Sequence, residues 1–493
     1  MATQFVLSFG GTGARIVEAL TYLTAAGCRK DPLHVLMIDP DGANGNLDIT
    51  VNQLRRYNTL NSLHDIPGNL ERIPLFSVPI NKSNPDSVLW QYPNSTQPFK
   101  NLIGYAGLPS DQQELAKLLY DEEDLNRDFR VGYVGRAHVG SADLYRTMRD
   151  ALKRVESADD AADAGNADEA IDQFFGAIRS RGQSDETRLF VVGSLFGGTG
   201  ASGIPTVPAL LRELLPNVRD DITVGGLLLG PYFSFPGGDE TRPDSVLHPL
   251  ATKAALSHYG TTDLGFDSVY FLGSPDREQT SDENEWGGVN QRNSPHYAEL
   301  AAATAASHFF GADHQDVAGG QVFSSGSENV TWEGTPGASD LDLEHRMVSL
   351  VAAMMFHCEF IHSDLQHTRH AGHRWAQKIS GNEGGGIQGQ EPELQELYAF
   401  GLRFLDWARG IEETVPPSSS LINVATEGTS TALGALLSGE PQQLPKPYHV
   451  FFDRLNHQHA KQQDNAIARY LDVLGQASGR FVEKAYPSRG WTS

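Results

Sequence analysis

Basic residues are scarce. Lys and Arg number 38 against 62 Asp and Glu, a formal net charge of −24 over 493 residues. Such a surface repels nucleic-acid phosphates and anionic membranes at long range, and no Lys/Arg run builds a local exception. Nucleic acid is therefore not an expected partner. Cysteine is scarcer still. Cys28 and Cys358 are the only two, which excludes a disulfide scaffold and points to a reducing, cytoplasmic compartment. No window of 18 apolar residues occurs, so no membrane insertion is expected. The opening residues MATQFVLSFGG lack the basic stretch and long apolar core of a secretory leader. Neither a G-x-S-x-G elbow nor the Gly-Lys-Ser/Thr ending of a Walker A loop is present.

Glycine, in contrast, is abundant at 50 residues, and it clusters in loops without a period. The chain length predicts two or three domains. Gln4–Phe9 reads as a short buried strand, Ala14–Ala26 as a helix with Ile16, Val17, Leu20 and Leu23 on one face, and Leu33–Ile38 as a second strand. This βαβ opening predicts an α/β fold with a parallel sheet. The Asn- and Pro-rich stretch from Ala43 to Arg130 reads as an insertion, with a helix over Asp111–Tyr120. Further helices are expected at Ser141–Val155, Ile204–Leu215, Pro295–Phe310, Leu343–Ile361, Glu393–Ala408 and Asn456–Ala485, and further strands at Leu189–Ser194, Ile222–Leu229 and Ser268–Gly273. Pro205 and Pro208 suit a helix's first turn.

Two loops carry the chemistry. Gly10-Gly11-Thr12-Gly13 joins a strand to a helix, where glycine lets backbone N–H groups approach an anion and the helix dipole favours negative charge. Alone it fits a dinucleotide loop, with Asp39 reaching a ribose hydroxyl, or a tight turn without ligand. The second, Gly197-Gly198-Thr199-Gly200-Ala201-Ser202-Gly203, again follows a buried strand. Two such units suit one polyphosphate held from two sides. Valine at Gly198 or Gly200 is expected to block phosphate approach and spare the fold.

This second loop resembles the GGGTGSG signature of the tubulin/FtsZ superfamily, with Phe196 at the place of its first glycine. The nearest resemblance is to divergent bacterial tubulin-like proteins. Other elements follow in family order. Gly10–Gly13 resembles the first phosphate loop, Asp39-Pro40-Asp41 the second, and the segment containing Gly135 and Arg136 the third, which closes over the terminal phosphate. The family's Asn near Ala14 is absent here.

The resemblance implies GTP/GDP and Mg²⁺ as cofactors, slow hydrolysis dependent on head-to-tail self-association, and filaments or nucleotide-gated oligomers. A further protein partner is also possible on this reading. It implies a nucleotide-binding domain over 1–310 with an insertion at about 43–130, a second α+β or helical domain beginning in 311–390, and a helical region over 391–493. Asn293, with Tyr297 stacking, is the expected base reader, and helix capping is the alternative role for Asn293. The acidic segment with Asp340, Asp342 and Glu344 resembles the loop that orients water in a neighbour's site, with N-terminal capping as its alternative. Two other functions stay open: a dinucleotide-dependent oxidoreductase, and a non-catalytic nucleotide switch or scaffold, as in a phage-defence or plasmid system. His357, His362, His367, His370 and His373 offer either a metal site or partly exposed helix residues.

Overall fold

The computed structural model describes residues 3–64, 73–157 except 83, 91 and 94, 170–181, 186–215, 221–234, 247–273, 278–279, 287–325, 332, 342–367, 373–380, 387, 391–415, 421, 452–453 and 465–486. The chain opens with strand β1 (Thr3–Phe9), helix α1 (Gly10–Ala25), β2 (Leu33–Ile38), α2 (Gly45–Asn61) and the edge strand β3 (Leu89–Trp90). Short helices α3 (Phe99–Leu102), α4 (Ser110–Leu119) and α5 (Glu122–Asn126) precede α6 (Ala137–Ser157) and α7 (Ala170–Arg179). The second half of the sheet begins with β4 (Thr187–Val192), α8 (Gly198–Leu214) and β5 (Ile222–Leu229). Next come β6 (Phe233–Ser234), α9 (Leu247–Tyr259), β7 (Ser268–Leu272), β8 (Glu278–Gln279), α10 (Tyr297–Gly311), α11 (His314–Val317) and β9 (Gln321–Ser325). The rest is helical where described: α12 (Leu343–Met355) running into a π-helical turn (Phe356–Ile361), then α13 (His362–Gln366), α14 (Arg374–Ser380), α15 (Pro392–Thr414) and α16 (Ala466–Ala485).

Seven strands form one all-parallel sheet in the order β3-β2-β1-β4-β5-β7-β9, and β6 and β8 pair separately. Parallel sheets are covered on both faces, and β1, β4 and β5 are buried at every position, whereas the edge strand β9 leaves Val322 exposed. Along β1 the side chains divide by alternation. Val6 packs with α1, α2 and α10, whereas Phe5, Leu7 and Phe9 pack with α6, α7 and α8. The first cluster continues without a break into α12, α15 and α16. The expected boundary at residue 310 precedes β9, the last strand of the sheet. Among the described residues, no helix is long and apolar enough to cross a membrane.

Three sequence expectations change. The stretch after Ala43 is not a surface insertion at its start, because α2 packs on α1 and α15. Its inward face includes polar Thr50 and Gln53, each buried and hydrogen-bonded, so its mean hydropathy hid it. The helices α1 and α8 start at Gly10 and Gly198, inside the glycine loops and not after them. Pro205 and Pro208 therefore lie within α8. Strand β9 and helix α9 had no clear periodic signal, whereas α7 was overlooked although Ile171, Phe174, Phe175 and Ile178 recur at helical spacing and are buried. Residues 454–464 of the expected C-terminal helix lie outside the described residues.

The glycines of the second loop also have a packing role. A Cβ on Gly200 would sit 2.6 Å from both N and O of Ser194, and one on Gly198 would sit 2.9 Å from N of Gly135. The expectation that valine there spares the fold is overturned. Gly200→Val is expected to lower unfolding stability by about 3 kcal/mol, since a rigid backbone cannot yield to the added atoms. A denaturant midpoint equal to wild type would contradict this.

Candidate functional site

The strand order reverses direction between β1 and β4, which lie side by side in register. Helix α1 leaves the end of β1 and α8 follows the end of β4, and they pack on opposite faces of the sheet. Their N-termini open on one cavity of about 460 Å³ at the carboxyl ends of the strands, the usual place for a ligand in an open α/β sheet. The N-cap residues are Phe9 and Gly197, and neither makes a side-chain cap hydrogen bond. Neither first turn contains an acid. Two sets of first-turn N–H groups therefore face the cavity without capping side chains, and both helix dipoles favour an anion there.

Gly10, Gly11, Thr12, Asp39, Asp41, Gly135, Arg136, Gly197, Gly198, Thr199, Gly200 and Asn293 all line the cavity. Gly13 does not. It packs on Ser8, where a Cβ would meet Oγ at 2.5 Å. Ala201 and Ser202 lie in the following turn of α8. The Ser202 hydroxyl donates to the Gly198 carbonyl at 2.7 Å, so it braces the helix.

Asp39 and Asp41 end β2 and are buried. The Thr199 hydroxyl and the Asp41 N–H both donate to Oδ1 of Asp39, at 3.2 and 3.1 Å. Burial pushes the Asp39 carboxyl up to about 7, with these hydrogen bonds opposing the shift. Asp41 is raised by the same cause and accepts from the N–H groups of Gly288 and Ala43. Two carboxyl groups thus share one cavity with two helix N-termini.

Carboxamides form another wall. Asn46 and Asn293 exchange two hydrogen bonds, each 3.0 Å, between side chain and side chain and between backbone N–H and side chain. Asn44 caps α2 and donates to Gln291 at 2.7 Å. Asn293 is therefore no cap of α10. His296 takes that place, with Glu299 completing a capping box. Tyr297 does not line the cavity, and its N–H donates to Thr414.

Sequence reasoning missed Arg15, Asn44, Asn46, Phe233 and Gln291, all of which line the cavity. Arg15 is 4 % exposed and its guanidinium donates to Glu299 at 2.5 Å and to Tyr232 at 2.5 Å. Arg15 heads a row of polar residues at helical spacing, Glu18, Thr21 and Thr24, all of them buried. Asn44 and Asn46 follow Asp39 and Asp41 at alternate positions, a pattern visible in the sequence but masked by the insertion reading.

The acidic segment lies elsewhere. Asp340 is outside the described residues. Asp342, at the N-cap of α12 with φ 48°, pairs with His345 at 3.2 Å, and Glu344 lies in the first turn. Neither lines the cavity. Burial pushes the Cys28 thiol up to about 12, with Arg346 opposing and Asp342 adding to the rise. Asp342 thus sits near Cys28, past the far end of α1, and that helix of 16 residues is about 24 Å long.

His357 is fully buried against the Tyr470 hydroxyl at 2.9 Å, and His362 stacks on Tyr398. His357 is therefore not partly exposed as expected. His370 lies outside the described residues. Among the described residues, no group of three or more His, Cys, Asp or Glu is placed to hold a metal. No protein-family model matches the chain, and no curated protein matches it.

The raised Asp39 carboxyl couples stability to pH. The fold favours the protonated form, so its contribution is fully present below about 4 and is lost as pH rises toward 7. Asp39→Asn is expected to remove about 3 kcal/mol of the stability lost between pH 5 and 8. Denaturant midpoints at both pH values read the difference, and parallel wild-type and variant profiles would contradict it.

Proposed function

We propose that this chain binds a nucleoside triphosphate with its phosphates between the first turns of α1 and α8. The observation that carries the reading is the pair of helix N-termini without side-chain caps, from adjacent parallel strands, opening on one cavity. A dinucleotide loop needs one such terminus; two suit a chain of phosphates approached from both faces. Backbone N–H groups supply the contacts, so the absent Walker lysine is no obstacle.

The residues present suit a divalent cation. Asp39 and Asp41 would hold Mg²⁺ through one or two carboxylates, with phosphate oxygens and water completing its shell. Bound there, the ion would neutralise the phosphates and withdraw charge from the terminal one. Cation binding also resolves the conflict of two buried carboxylates with a bound polyanion, and it favours the ionised form of Asp39.

The fold is α/β and doubly covered, and the tubulin/FtsZ type is our proposal on the two glycine loops and their order. Guanine rests on that resemblance. The carboxamides of Gln291 and Asn293 supply hydrogen-bonding groups at the cavity wall for a base. Hydrolysis in this reading depends on assembly. Asp342 lies too far from its own cavity to act there, so it serves a neighbour in a head-to-tail contact, which is heterologous and need not close. The strand order supports a second reading, a dinucleotide enzyme, since the same order recurs in doubly wound dinucleotide-binding domains.

Thr12→Asp places a carboxylate in the first turn of α1, where it suits the helix dipole but occupies the anion's place. The variant is expected to fold with wild-type stability and lose Mg·GTP affinity by at least about a hundredfold, read by calorimetric titration. Unchanged affinity would sink the phosphate assignment. Preferential binding of NAD(P) would favour the second reading. In the wild type, GTP turnover per subunit is expected to rise with protein concentration, and Asp342→Ala to bind GTP normally while turning it over poorly. A flat specific activity, with Asp342→Ala fully active, would remove the assembly step.

A further inference from the structure

Arg136 lines the cavity, yet its guanidinium is engaged from outside it. One nitrogen lies 2.5 Å from Oδ1 of Asp124 and another 2.8 Å from Glu123, with Asp121 at 3.9 Å. All three acids belong to α5 or its N-cap. Asp124 is the centre of this clamp. Its side chain is 4 % exposed, its second oxygen meets Nε2 of His138 at 3.0 Å, and that ring stacks on Tyr120. The loop that carries Arg136 is also strained. Val134 has φ 49°, between Gly132 at 73° and Gly135 at 74°. A β-branched residue in the left-handed region persists only where its surroundings enforce it, and such residues cluster at switch regions.

A guanidinium forms the same forked, charge-assisted bonds with a carboxylate or a phosphate. The clamp and a terminal phosphate therefore compete for one group. We propose that Asp124 is a positioning residue that holds Arg136 off the cavity, so that only a ligand with a terminal phosphate within reach of loop 132–136 draws it in. This rests on the nucleotide-binding reading above. A ligand shifts such an equilibrium only through its differential affinity for the two arrangements. A triphosphate that uses Arg136 has its apparent affinity reduced by the fraction of molecules in which the clamp is open, and a diphosphate that stops short of Arg136 does not.

The test is competitive binding of GTPγS and GDP, each with Mg²⁺. Asp124→Asn removes the clamp's charge at nearly constant shape. It is expected to raise GTPγS affinity about tenfold and leave GDP within about twofold. Glu123→Gln, at a carboxylate 62 % exposed, gives a smaller rise in the same direction and keeps the test decisive if Asp124→Asn does not fold. Asp124→Glu retains the charge and keeps the wild-type ratio. In an Arg136→Ala background the gain from Asp124→Asn disappears. Equal shifts for both ligands would assign Asp124 a merely structural role, and a gain that survives Arg136→Ala would overturn the clamp. A wild type that binds neither ligand would overturn the proposed function as well.

Discussion

The architecture depends on β1 and β4 lying side by side and parallel, each delivering a helix from its carboxyl end to an opposite face of the sheet. A helix start leaves N–H groups without intrahelical partners. When capping side chains are missing from two such starts, something else must satisfy them. The fold places both starts on one cavity, and the glycines that open these helices let them approach each other. Gly10, at φ 74°, has the side chain of Thr199 just 3.2 Å from where its Cβ would be. The two loops thus border one cavity and pack on each other at Gly10 and Thr199.

Charge is arranged around that pair. The cavity is lined by buried carboxyl groups at the end of β2, by Arg15, whose guanidinium pairs with Glu299, and by Arg136, whose guanidinium pairs with acids of α5. A site with acids and anion-seeking helix ends in contact is incomplete electrostatically. A polyphosphate with its divalent cation brings both signs of charge at once, and this accounts better for the arrangement than an anion alone.

Much of this was legible in the chain. Central parallel strands are buried on both faces, so β1, β2, β4, β5 and β7 were readable in the sequence as short, mostly apolar stretches. Glycine clusters between strand and helix marked both loops that open on the cavity. What stayed hidden was tertiary. The second layer of helices contains α2, whose buried Thr50 and Gln53 donate to the Ala14 carbonyl and the Tyr22 hydroxyl of α1, so that the helix reads as a polar surface stretch. The glycines of the second loop were read for their ligand, although Gly200 is required first by the backbone of Ser194. Asn293 was singled out, but its partner Asn46 lies 247 residues away, a pairing no local pattern encodes. Arg136 was read as a phosphate ligand, and the clamp on α5 appears only when both segments are in place.

The central claim is that both helix starts hold one polyphosphate. A structure of the protein with GTPγS and Mg²⁺ tests it most directly. The account predicts phosphate density within hydrogen-bonding distance of backbone N–H groups in both first turns, Gly11–Thr12 and Thr199–Gly200, with a cation beside Asp39 or Asp41. Density that contacts only one helix start, or a nucleotide bound outside this cavity, would contradict it.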